Sequence, residues 1–215
     1  MLDTDKFGNK FVYLQREVNS WQLKQHVMNT LEQYRNAVKD YAARGVDYLF
    51  HNEGDEHALI IFTNIFCNAK ETIRIAANKL CNKELVNQKE YIDNLKLFLN
   101  KGDTRLFVLL TSRPTNEEAM SNDCLYKMLY EHPAYKEGRI SIKDGQGKSF
   151  HDKDGKIIHF CTGDSKMYRI ENDIRGRKAV ANFGDEKTST VLNSDFDKAF
   201  SSVETDVNLD DYYGN

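Results

Sequence analysis

Residues 155–185 read GKIIHFCTGDSKMYRIENDIRGRKAVANFGD. Apolar and polar side chains alternate there as in paired β-strands with one buried face, and the polar residues gather at one edge. Inside the stretch, Asp164, Lys166 and Glu171 have the spacing D-x-K-x-x-x-x-E. On a strand, that spacing sets a carboxylate and an ammonium two residues apart on the same face. A candidate site is therefore placed here.

Outward from this stretch the pattern resolves into further elements. Strands are expected at Arg139–Lys143, Ile157–Thr162, Lys166–Glu171 and Lys178–Phe183, with turns at Asp144–Gly147 and Asp154–Gly155. Upstream, the short β-branched run Thr72–Ala77 and the apolar run Arg105–Leu110 read as buried strands. Between them Leu85–Asn100 has helical period, so a parallel βαβ unit is expected. Ala58–Ala69 is apolar on nearly every side and reads as a buried helix, with Asp55 as its N-cap. A helix over Glu117–Glu131 ends before Pro133, and a last one spans Asp185–Val203. At the start, Trp21–Arg44 is an amphipathic helix stopped by Gly45, preceded by an alternating piece, Phe11–Leu14.

The organisation expected is an N-terminal, mainly helical arm over 1–50, an α/β domain over 51–203 with a mixed sheet flanked by helices, and a loosely ordered acidic tail over 204–215. A chain of 215 residues is long enough to bury a substantial core. No stretch approaches the ~20 apolar residues of a spanning helix, so a cytoplasmic protein without a membrane partner is expected. The four cysteines form no C-x-x-C pair, which argues against a zinc ribbon or a disulfide framework. A formal charge of −3 excludes a surface built throughout to coat nucleic acid, while leaving room for a local basic patch.

The order of elements and the charged motif resemble one half of the phospholipase D-like fold, over roughly 56–203. That superfamily carries H-x-K-x-x-x-x-D followed by G-S-x-N. Its histidine attacks the phosphodiester, its lysine and asparagine hold phosphate oxygens, and no cofactor or metal is required. Lys166 matches the motif lysine, and Asn182 falls one residue from the motif asparagine. Asp164 stands where the family has its histidine, Glu171 where it has aspartate, and Ala179-Val180 where it has Gly-Ser. The motif is degenerate. A carboxylate is repelled by a phosphodiester that a neutral imidazole can approach, so Asp164 is a poor substitute nucleophile. His159, five residues earlier, points to the opposite face of a strand from Asp164.

The resemblance thus implies a non-catalytic module that binds a phosphate-containing ligand, either nucleic acid or nucleotide, or a protein partner. Lys166, Asn182 and Arg169 would hold the phosphate, with the cations of Arg175–Lys178 nearby. It further implies a bacterial defence or restriction setting with an operon-encoded partner. A two-fold homodimer follows too, because the family builds one centre from two motif halves. The alternative is a working phosphodiesterase or nuclease in which Asp164, Lys166, Glu171 and Asn182 are catalytic. The plainest reading makes Asp164, Lys166 and Glu171 surface charges without a ligand. Three other groupings read as structure: His51 and His57 with Glu53, Asp55 and Glu56 as capping and solvation, Asp152-x-Asp154-Gly155 as a hairpin turn, and Tyr212-Tyr213 as a frayed end.

Overall fold

The computed structural model describes residues 30–121 and 123–214. The chain divides into two units, Met1–Ala37 and Val38–Asn215. Phe11–Leu14 and the beginning of the expected Trp21–Arg44 helix lie outside the described residues. Helix α1 runs through 30–44. Gly45 ends it as expected, at φ +62°, with its own N–H on the Ala42 carbonyl at 3.2 Å and that of Val46 on Tyr41 at 3.0 Å. This paired closure needs a left-handed residue, which glycine adopts without a Cβ penalty.

The chain continues as β1 (Phe50–Glu53), α2 (Gly54–Asn68), β2 (Thr72–Ala77), α3 (Lys83–Val86), α4 (Lys89–Leu99) and β3 (Arg105–Leu110). Then come α5 (Asn116–Ser121), α6 (Asp123–Glu131), α7 (Pro133–Lys136), β4 (Ile140–Asp144) and β5 (Phe150–His151). The last elements are β6 (Ile157–Gly163), β7 (Met167–Asp173), β8 (Lys178–Asn182), α8 (Glu186–Ser201) and α9 (Asp210–Tyr213). The sheet order is β1-β8-β7-β6-β2-β3-β4, with β5 paired to β6. β2, β3 and β4 are parallel, so the expected βαβ unit is present, and the other pairings are antiparallel.

Period-two alternation sorts the strand residues to two helical layers. Ala76, Ile158, Phe160 and Leu109 pack with Phe196 and Val203, at α8 and just beyond it. On the other face Arg169 lies over Phe62 of α2, and Phe62 and Phe66 meet Tyr91 of α4 at ring distances of 5.4 and 4.9 Å. The result is the mixed sheet flanked by helices that the sequence led us to expect.

Several expectations need correction. β1 was not foreseen; it adds to the sheet beyond β8, with Asn52 opposite Ala179. Asp55 is not the N-cap of α2; Glu53 stands there, while Asp55 pairs with Arg177 and accepts from Asn82. The helix expected over Leu85–Asn100 is broken into α3 and α4, because Asn82 caps a first short turn through the Glu84 amide at 3.1 Å. The acidic tail is not loose: Val207, Leu209 and Tyr212 are buried. Its backbone follows the edge strand β4, Asp144 N–H donating to Thr205 and Val207 N–H to Ile142. The Tyr212 hydroxyl donates to the Pro114 carbonyl at 2.8 Å, so the tyrosine pair is not a frayed end.

Candidate functional site

Asp164 and Lys166 lie in the turn between β6 and β7, not on one face of a strand. Asp164 adopts φ +52°, a conformation that aspartate tolerates better than most residues. Its carboxylate accepts from the backbone amides of Lys70, Glu71 and Thr72 at 2.8, 2.9 and 3.0 Å. Its own N–H donates to the Thr72 carbonyl at 2.8 Å, and its carbonyl accepts from Asn193 Nδ2 at 2.7 Å. Both carboxylate oxygens are thus spent on holding the entry to β2. Asp164 works here as a latch.

Lys166 is exposed, and no ion pair joins it to Asp164. Asn182 is 3 % exposed and already engaged: its Nδ2 donates to Asp47 Oδ1 at 2.8 Å and its Oδ1 accepts from the Gly184 amide at 2.9 Å. The segment after α1 presses on this spot. A Cβ on Gly184 would meet the Gly45 carbonyl oxygen at 2.4 Å and the Asp47 nitrogen at 2.5 Å, so only glycine permits the approach. Asp185 stands beside it, accepting from the Tyr168 hydroxyl at 3.3 Å and from the Thr188 amide at 2.9 Å. Hydrogen bonds from Thr188 hold its carboxyl below the usual aspartate range. The Asp47 carboxylate bonded to Asn182 opposes a phosphate at that amide, while the Lys166 ammonium lies beside Gly45 at the same crossing.

Glu171 is remote from this turn. Five residues of strand separate it from Lys166, roughly 16 Å at ~3.3 Å per residue. It pairs instead with His159, Nδ1 to Oε2 at 3.2 Å, and with Arg169, Nη2 to Oε1 at 3.3 Å. Arg169 is 4 % exposed, also donates from Nε to Asn52 Oδ1 at 3.3 Å, and has its guanidinium 5.2 Å from the Phe62 ring centre. Burial pushes the Glu171 carboxyl up, but the His159 hydrogen bond and the Arg169 charge outweigh it, leaving the group below its usual value. An ionised carboxylate only accepts, so the neutral form of His159 donates from Nδ1 to Glu171 and keeps Nε2 as an acceptor.

The partner of His159 is thus Glu171, a pairing that its spacing from Asp164 does not show. The signal was present: a three-residue turn pairing Gly163 with Met167 puts His159 opposite Glu171. This trio forms one wall of a cavity of about 520 Å³ at the carboxyl end of β2. Phe62, Ile75, Val86 and Tyr91 supply apolar lining, and Tyr91 is fully buried with a hydroxyl that has no partner among the described residues. Lys79, bonded to both Glu118 oxygens at 2.8 Å, and Arg177, paired with Asp55, flank it. Pockets outside the carboxyl ends of parallel strands are where open α/β sheets take their ligands.

Among the described residues no group of three or more His, Cys, Asp or Glu side chains is placed to hold a metal. The Asp152 carboxylate accepts from the Asp154 and Lys156 amides, both at 2.9 Å, as in a hairpin turn. No described helix is long and apolar enough to cross a membrane.

Neither protein-family models nor curated proteins match the sequence. Solved structures do match in fold. Nuc of Salmonella typhimurium, a phospholipase D family member, superposes with a TM-score of 0.51 at 10% identity, over 76% of this chain and 99% of its own. TrmBL2, an archaeal chromatin protein with a novel mode of DNA binding, superposes with a TM-score of 0.51 at 14% identity, over 89% of this chain and 69% of its own. The chain therefore has the phospholipase D-like fold.

Proposed function

We propose that this protein is a phospholipase D-like module that binds a ligand and does not cleave phosphodiesters. The observation that carries this reading is the state of Asp164: three backbone amides consume the side chain that stands in the nucleophile's position. The remaining motif residues add to it. Asn182 is buried and committed to Asp47, and Glu171 lies at the other end of β7, so the four motif residues do not converge on one phosphate within a chain. Of the three residues expected to grip phosphate, only Lys166 is exposed; Arg169 and Asn182 are 4 % and 3 % exposed. The likeness in fold to a DNA-binding chromatin protein supports nucleic acid as a partner, with Lys166 as a contact.

The test is cleavage of labelled single-stranded and duplex DNA and RNA, with and without EDTA, with gel-shift binding in parallel. No cleavage is expected from the natural protein. Turnover that survives EDTA and disappears in Lys166→Ala would establish the rival reading, an active phosphodiesterase using Asp164, Lys166, Glu171 and Asn182. A gel shift that weakens in Lys166→Ala and with added salt supports nucleic-acid binding at the turn. The homodimer, the defence setting and the operon-encoded partner belong to the same proposal through the family resemblance, and a monomeric mass by light scattering would remove the dimer.

A further inference from the structure

We infer that the cavity at the carboxyl end of β2 is a binding site for an uncharged small molecule that bears hydrogen-bond donors, received by His159. The inference rests on the binding-module reading but concerns a different end of the sheet from Asp164 and Lys166. A volume of about 520 Å³ is within the range that encloses a small organic ligand.

Charge decides the ligand class. The lining carries Lys79, Arg169 and Arg177 against Glu84, Glu118 and Glu171, three of each sign. The cations are already matched: Lys79 by Glu118, Arg169 by Glu171, and Arg177 by Asp55. A phosphate entering here would have to break an existing pair to gain one, an ammonium would find only the exposed Glu84 outside these pairs, a contact worth little in water, and an uncharged molecule leaves all three pairs intact. Polar valence left on the wall includes His159 Nε2, which has no partner among the described residues, and the Tyr91 hydroxyl. Because Glu171 holds the Nδ1 proton, Nε2 accepts, and its natural complement is a hydroxyl or amino N–H. The opposite lining is hydrocarbon and ring, from Ile75, Val86, Phe62 and Tyr91, and suits an apolar face of the same molecule.

The experiment is a methyl NMR titration of the whole protein, with Ile75, Ala77 and Val86 as reporters. Adenosine, indole and benzyl alcohol are the uncharged probes, and AMP, benzyl phosphate and benzylamine their charged counterparts. Saturable shifts at the three methyls are expected with at least one uncharged probe and weaker ones with its charged counterpart. His159→Phe, which removes the acceptor, should weaken that binding about tenfold, and Ala77→Phe, which fills the cavity from β2, should abolish it. The Ala77→Phe spectrum also reports whether that variant keeps its fold. Preference for the charged probes, shifts unchanged in Ala77→Phe, or no cavity shift with any probe would overturn the inference. Phosphodiester cleavage would sink the module reading while leaving this result standing.

Discussion

Asp164→Ala removes the acceptor of three backbone amides at the entrance to β2. Hydrogen bonds to a charged group are worth about 1.5–3 kcal/mol, and orphaned amides add to the loss. We expect a destabilisation of about 2–3 kcal/mol by urea denaturation, whereas exposed Lys166→Ala should stay within about 0.5 kcal/mol. Glu171 makes a second residue-scale prediction. Its carboxyl is depressed in the folded state relative to the usual 4.5, so the stability it contributes is present above pH 4.5 and is lost as pH falls through the lower folded value. Glu171→Gln should therefore flatten the dependence of unfolding free energy on pH below about 4.5, as read from urea titrations across that window.

Among the elements, those with strong local periodicity were legible and those defined by remote pairing were not. Thr72–Ala77 and Arg105–Leu110 are strands with the expected bounds, since buried apolar runs flanked by helices carry their own signal. β1 reads FHNE, three of its four residues polar, and exists because β8 accepts it from across the chain. The motif was misjudged for a related reason: the D-x-K spacing reads as one strand face, although the expected strands themselves leave Asp164 between them, and in the turn between β6 and β7 it becomes a latch. The same blindness hid His159 and Glu171 as partners, because only the register of the hairpin unites them. Gly184 is where the segment after α1 crosses the sheet end. Gly184→Ala is expected to cost about 1–3 kcal/mol by thermal or urea unfolding, because the backbone at Gly45 and Asp47 cannot yield as a flexible side chain would.

At the scale of the whole molecule, the tail belongs to the fold. Its composition is acidic, and composition alone argues for disorder, but Val207 docks beside β4, Leu209 is buried and Tyr212 reaches the Pro114 carbonyl, while the acids stay exposed. Removing residues 204–214 would uncover the edge of β4 and the core under Tyr212. Edge strands left bare pair with other chains. The shortened protein is expected to unfold at lower temperature and to elute partly as higher-order species by size exclusion, in contrast to the full chain.

The Asp164 latch also bears on the order of events in folding. It joins a late hairpin turn to backbone 92–94 residues earlier in the chain. Contacts so distant along the chain form only after the long loop between them has closed. A bond made after the rate-limiting closure leaves the folding rate alone and slows the return. Asp164→Ala should therefore raise the unfolding rate by roughly 30- to 150-fold, for a loss of about 2–3 kcal/mol, with the refolding arm of the chevron unmoved. A single aspartate in a hairpin turn would then govern how long the native state lasts.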